Sequence, residues 1–170
     1  HVRSRRQRQM CIRDRFYGTL RDNLNLEGAA LSDEELFEAL DGVGLGAWVR
    51  SHPLGLDMPI QGNASLSGGQ RQAVGLVRVL VQDPPIVLLD EPTSSFDQTS
   101  EKQVVDYLQQ WLTGRTLILV THKKVMLSLV ERAVVMRQGR VIMDGALDQV
   151  VQDNVVSAPQ EPRGGNHAVQ

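Results

Sequence analysis

Three stretches carry residue types that could act together on a phosphate. The first is Leu66-Ser67-Gly68-Gly69-Gln70, which precedes apolar positions at Ala73, Val74, Leu76, Val77, Leu80 and Val81, a stripe of helical period. A helix opening there presents unpaired N–H groups and a partial positive charge. Gly68 and Gly69 let the backbone approach an anion closely, and the Ser67 hydroxyl adds a donor. Taken alone, those residues also read as an ordinary serine N-cap followed by two small residues.

The second stretch is acidic. Ile86-Val87-Leu88-Leu89 is a continuous apolar run, which predicts a parallel strand buried on both faces. Asp83-Pro84-Pro85 stops the helix before it, because proline cannot continue the hydrogen-bond ladder. Asp90 and Glu91 end the run, where open α/β sheets bind their ligands. Their side chains leave on opposite sides, so the two carboxylates take different tasks. A pair of surface acids at a strand end is the plainer alternative.

The third stretch is Thr116-Leu117-Ile118-Leu119-Val120, a second buried-strand candidate with Gly114 before it and His122 after it. If the two strands are parallel, His122 is level with Asp90 and Glu91. A neutral imidazole there could donate to a phosphate and hold Glu91 in place; a structural histidine is the alternative. Between the strands, Asp97 suits the N-cap of a helix over about 100–112, with Val104, Val105, Leu108 and Leu112 on one face. Lys123 and Lys124 read as solvated charges.

Other elements must position these groups. Ser32-Asp33-Glu34-Glu35 reads as a capping box, followed by one helix face at Leu36, Phe37, Leu40 and Val43. Residues 44–50 suggest a second short helix, ended by His52-Pro53, with His52 solvated. Residues 56–65 read as a polar loop. Downstream, residues 133–143 form a β-hairpin turning at Gln138-Gly139. A short helix around 147–151 and a frayed tail from Asp153 follow.

Composition narrows the function. A chain of 170 residues, 41% hydrophobic, is the size of one domain with a buried core. The formal charge of −2 hides an asymmetry, since residues 1–15 carry six Arg against one Asp. The remainder holds 12 basic and 19 acidic side chains, a poor surface for nucleic acid. Residues 1–15 lack any periodicity and are expected to be a non-native linker scar. The single cysteine, Cys11, excludes a disulfide framework and a cysteine metal cluster. No apolar run approaches the roughly 20 residues of a membrane-spanning helix.

In this order and spacing the stretches resemble the second half of an ATP-binding cassette (ABC) ATPase domain. Residues 66–70 match the signature motif, 86–91 the Walker B strand, 94–97 the D-loop, and His122 the switch histidine. The resemblance implies an α/β fold of the P-loop NTPase, ABC-ATPase type. It would be a partial domain: a helical subdomain over 16–66, then the C-terminal half of a mainly parallel sheet over 67–152, with 153–170 a flexible tail. It further implies that Asp90 holds Mg²⁺ through water, that Glu91 orients and deprotonates the attacking water, and that His122 assists. Ser67, Gly68, Gly69 and Gln70 would close on ATP held by a partner domain, and Asp97 would bridge the two sites.

The implied partners are a second ABC ATPase domain, paired head to tail, and transmembrane permease domains fused upstream, with no nucleic acid. The implied location is the cytoplasmic face of a bacterial inner membrane. Gly18-Thr19-Leu20-Arg21-Asp22-Asn23-Leu24 is similar to the segment after the exporter Q-loop, and the type I secretion exporters look most alike. Gln61-Gly62-Asn63 departs from the usual Gly-Glu pattern, and Phe96 from the small-residue D-loop. A Walker A loop needs a lysine after glycine. Lys102, Lys123 and Lys124 are the only lysines, and none follows a glycine. The 170 residues alone are therefore expected to turn over ATP negligibly. A soluble ABC-type ATPase of DNA repair or chromosome structure, and a non-catalytic interaction module, are the rival readings.

Overall fold

The computed structural model describes residues 17–26, 28, 30–62 and 65–156. The expected scar at 1–15, together with Phe16, Asn63 and the tail beyond 156, lies outside the described residues. The chain divides into two compact units, one ending at Leu129 and the other beginning at Val130.

The first unit opens on β1 (Tyr17–Thr19), whose last residue caps α1 (Leu20–Leu24). The capping box ahead of α2 (Asp33–Gly42) is formed. Ser32 Oγ accepts from Glu35 N at 3.2 Å, and a Glu35 carboxylate oxygen accepts from Ser32 N at 2.8 Å. α3 (Gly46–Ser51) follows, and a 3-10 turn (Gly55–Asp57) comes next. Nearby, His52 is tied in locally, its Nδ1 accepting from Leu54 N at 3.2 Å.

Residues 56–65 are not simply a loop. Pro59–Gln61 forms β2, antiparallel to β1 with Gly18 opposite Ile60. Ile60 is buried, and its pairing partner lies far back in the chain. Three residues give too few alternations for a strand to show in the sequence. α4 (Gly68–Gln82) then runs until Asp83, which takes a left-handed φ of 46° ahead of the two prolines.

β3 (Ile86–Asp90), α5 (Gln98–Trp111) and β4 (Thr116–Val120) make one parallel crossover, in register from Ile86↔Thr116 to Asp90↔Val120. Val87 and Leu89 join Leu36, Leu40, Val74, Leu76 and Leu108 in the core. The expectation of strands buried on both faces does not hold. Ile86, Leu88, Ile118 and Val120 are each about half exposed. Helices cover one face of this ribbon, and among the described residues no layer covers the other. An unbroken apolar run records the strand type and not which face is packed.

In the second unit, β5 (Arg132–Arg137) and β6 (Arg140–Ala146) form the expected hairpin. Gln138 and Gly139 both have positive φ, 49° and 73°, as a tight two-residue turn requires. Arg132 grips Asp144 with two hydrogen bonds of 2.8 and 2.7 Å. α6 (Leu147–Val156) carries the helix past Asp153, where a frayed tail was expected. No helix among the described residues is long and apolar enough to cross a membrane.

Candidate functional site

The parallel register sets Asp90 beside Val120, so Glu91 and His122 leave the same edge of the ribbon. Glu91 N donates to Val120 O at 2.8 Å. This continues the ladder one step beyond the strand. Glu91 then turns sharply, with a left-handed φ of 45°, a conformation unusual for a non-glycine residue and typical of functional turns. Its Oε1 accepts from His122 N at 3.1 Å and lies 2.7 Å from His122 Nδ1. Thr121 Oγ1 sits 3.5 Å from the other carboxylate oxygen.

That geometry limits the imidazole. A carboxylate oxygen accepts, so the tautomer that fits this contact carries its proton on Nδ1. The His122 side chain is 76% exposed against 32% for Glu91, so the far edge of the ring faces open space.

Asp90 is exposed at the end of β3, on the open face shared with Ile86 and Leu88. Among the described residues no group of three or more His, Cys, Asp or Glu could hold a metal. A lone exposed carboxylate such as Asp90 is the kind of donor Mg²⁺ takes, since that ion keeps several waters and uses one or two carboxylates along with substrate phosphates.

At the start of α4, Ser67 Oγ accepts from Gln70 N at 3.1 Å, and Gln70 Oε1 accepts from Ser67 N at 2.9 Å. Gln70, expected to meet nucleotide, is here half of a capping box. The N–H groups of Gly68 and Gly69 are left without intrahelical acceptors. The two glycines differ. A Cβ on Gly69 would stand 3.0 Å from the Ser95 carbonyl oxygen, while one on Gly68 would make ordinary contact at 3.6 Å with the Ser95 side chain. Gly69 thus serves close packing within the chain, and Gly68 is the freer to face an anion.

Asp97 is the N-cap of α5. It accepts from Thr99 N and Ser100 N at 3.0 Å each and from Ser100 Oγ at 2.8 Å. The hydrogen bonds from Ser100 hold its pKa below the usual carboxylate value.

Sequence reasoning missed a buried polar group beside this site. Lys123 is not a solvated charge. It donates to Thr93 O at 2.6 Å and pairs with Glu101 at 2.8 Å, and Thr93 Oγ1 donates to the same carboxylate. Gln72 was also missed. It sits in the series Gln72, Leu76, Leu80 on the buried side of α4, and a polar residue in an apolar stripe was the available signal. For Lys123 nothing in the sequence pointed inward. Lys124 stays exposed, as expected.

Carboxylates and a histidine at the carboxyl edge of parallel strands place the chain in the open α/β class, whose ligands bind at that edge. Within that class, the chain belongs to the ABC transporter family, whose profile matches residues 3–94. It is 37% identical over 140 residues to an ATP-dependent lipid A-core flippase of Neisseria meningitidis, covering 82% of this chain and 22% of the flippase. It is 38% identical over 130 residues to the glutathione/L-cysteine transport system ATP-binding/permease protein CydC of Escherichia coli, covering 76% of this chain and 22% of that protein. The chain thus spans about a fifth of the length of these curated relatives, 22% in each case. Among solved structures, a bacterial Atm1-family ABC exporter with ATP bound matches at a TM-score of 0.74 and 26% identity, over 87% of this chain and 27% of that one.

Proposed function

We propose that this chain supplies the hydrolytic half of an ATP site in a bacterial ABC exporter and that the hydrolysis powers transport. The observation that carries the reading is the pairing of Glu91 with His122 across two parallel strands, on a left-handed turn that aims the carboxylate off the sheet edge. Glu91 orients a water and takes its proton as the water attacks the γ-phosphate in line, giving ADP and phosphate. His122 keeps the carboxylate from swinging away. Asp90 is the residue that would hold Mg²⁺ through water. When bound, the ion neutralises charge on the phosphates.

Ser67 and Gly68, at the start of α4, are read as facing the ATP of a second such domain, and Asp97 as facing the same interface. Fused membrane-spanning domains upstream and a place at the inner face of the bacterial membrane complete the reading. It is supported by relatives described as a flippase and an ATP-binding/permease protein. Those two names do not favour the narrower expectation of type I protein secretion, and the exporter reading is kept at the broader level. The rival soluble ATPase of DNA repair is not favoured, because the matched relatives are transporters.

The test is Glu91→Gln in the purified full-length protein. Turnover is expected to fall by about 10²–10⁴-fold, the usual worth of a general base, with ATP still bound. Full activity in that variant would overturn the reading.

A further inference from the structure

Gln72 lies on the buried side of α4 and is 2% exposed. Its amide spans the turn that follows Glu91. Nε2 donates to the Glu91 carbonyl oxygen at 2.7 Å and to Ser94 Oγ at 2.9 Å, while Oε1 accepts from Ser95 N at 2.8 Å. The orientation of the amide is not ambiguous. A backbone carbonyl can only accept and a backbone N–H can only donate, so a flipped amide would break both main-chain bonds.

Two further features act on the same turn. Glu91 has its positive φ of 45°, a conformation that persists only where the surroundings enforce it. The Ser95 carbonyl approaches Gly69 so closely that a Cβ there would stand 3.0 Å away. The first turns of α4 therefore touch the 91–95 turn at Gly69 and grip it at Gln72.

We propose that Gln72 is a positioning residue for hydrolysis: it holds Glu91 in its left-handed turn and fastens that turn to the signature helix. The two ends of the grip belong to different functions. α4 begins at the loop read as facing a partner's ATP, and Glu91 is the base for hydrolysis within its own chain. This inference rests on the reading of Glu91 as the catalytic base.

The test compares Gln72→Met and Gln72→Glu with wild type and with Glu91→Gln, all in the full-length protein. Both replacements keep the side-chain length. Methionine removes every hydrogen bond, whereas glutamate keeps the acceptor for Ser95 N and loses the donor to the Glu91 carbonyl. Both are expected to lower kcat by about 10–100-fold, since a misplacement of about 1 Å costs on that order. KM for ATP is expected to stay within about two-fold, the mark of an interaction that acts on the chemical step and not on binding.

A residue that merely fills volume would leave kcat near wild type in both variants. Turnover within about two-fold of wild type in either variant overturns the proposal, as does an equal rise in KM with kcat unchanged. If methionine prevents accumulation of the protein, the glutamate variant decides alone. Should neither accumulate, Gln72 is a folding determinant and the proposal is overturned. An active Glu91→Gln protein would instead remove the underlying reading, so the two failures are distinguishable.

Discussion

Lys123 Nζ lies 2.8 Å from a Glu101 carboxylate oxygen, and the two side chains are only 21% and 11% exposed. The pair ties the residue after His122 to the first turn of α5. Through Thr93, which bonds both partners, it also braces the turn after β3. Removing one member leaves a charge largely cut off from water, which costs more than the pair contributes. Lys123→Met is expected to destabilise by about 2 kcal/mol, below the 3–5 of a fully buried pair because both groups retain some solvent. The double variant Lys123→Met, Glu101→Met is expected to recover part of that loss. A double-mutant cycle in denaturant unfolding checks it, and additive losses would show that the pair is not coupled.

The same carboxylate sets a pH dependence. Burial pushes the Glu101 pKa up, but hydrogen bonds from Lys123 and Thr93 outweigh it and hold the pKa below its ordinary 4.5. A folded pKa below the unfolded one gives stability that is fully present above about 4.5 and lost as pH falls through the lower folded value. The stability difference between wild type and Glu101→Gln is therefore expected to shrink as pH falls from about 6 to about 3. Unfolding measured across that range checks it. A difference that grows on acidification would show the opposite sign of coupling.

Gly69→Ala sets two effects against each other. Alanine in place of glycine favours a helix by about 1 kcal/mol in the interior, and by less in the first turn. The new Cβ would press on the Ser95 carbonyl from 3.0 Å, and backbone there must shift. Stability is expected to change by less than about 1 kcal/mol, because the two terms oppose. ATP turnover in the full-length protein is expected to fall about ten-fold, because the displaced turn carries Glu91. Turnover at the wild-type level would show that the Gly69–Ser95 approach has no bearing on the site.

The sequence by itself determined most of the longer elements and the order of the chemistry-bearing residues. Capping residues Ser32, Ser67 and Asp97 mark helix starts because each supplies a side-chain acceptor to an orphan N–H within three residues, a purely local matter. The apolar runs at 86–89 and 116–120 announce strands for a similar reason, and Gln138-Gly139 announces its turn through backbone freedom. Asp90, Glu91 and His122 could be placed at strand ends because they directly follow such runs.

What only the tertiary structure decided depends on residues far apart in the chain. The pairing of β1 with β2 joins segments some forty positions apart, and no periodicity in three residues reports it. The open face of the β3–β4 ribbon depends on which layers pack, and an apolar residue looks the same in the sequence whether covered or bare. Lys123 turns inward because Glu101 and Thr93 meet it there, and Gln72 is buried because a backbone turn 19 positions later supplies its partners. The meeting of His122 Nδ1 with Glu91 is likewise a product of the fold. A polar side chain's role follows from the partners that satisfy it when buried, and those partners are assembled by the fold.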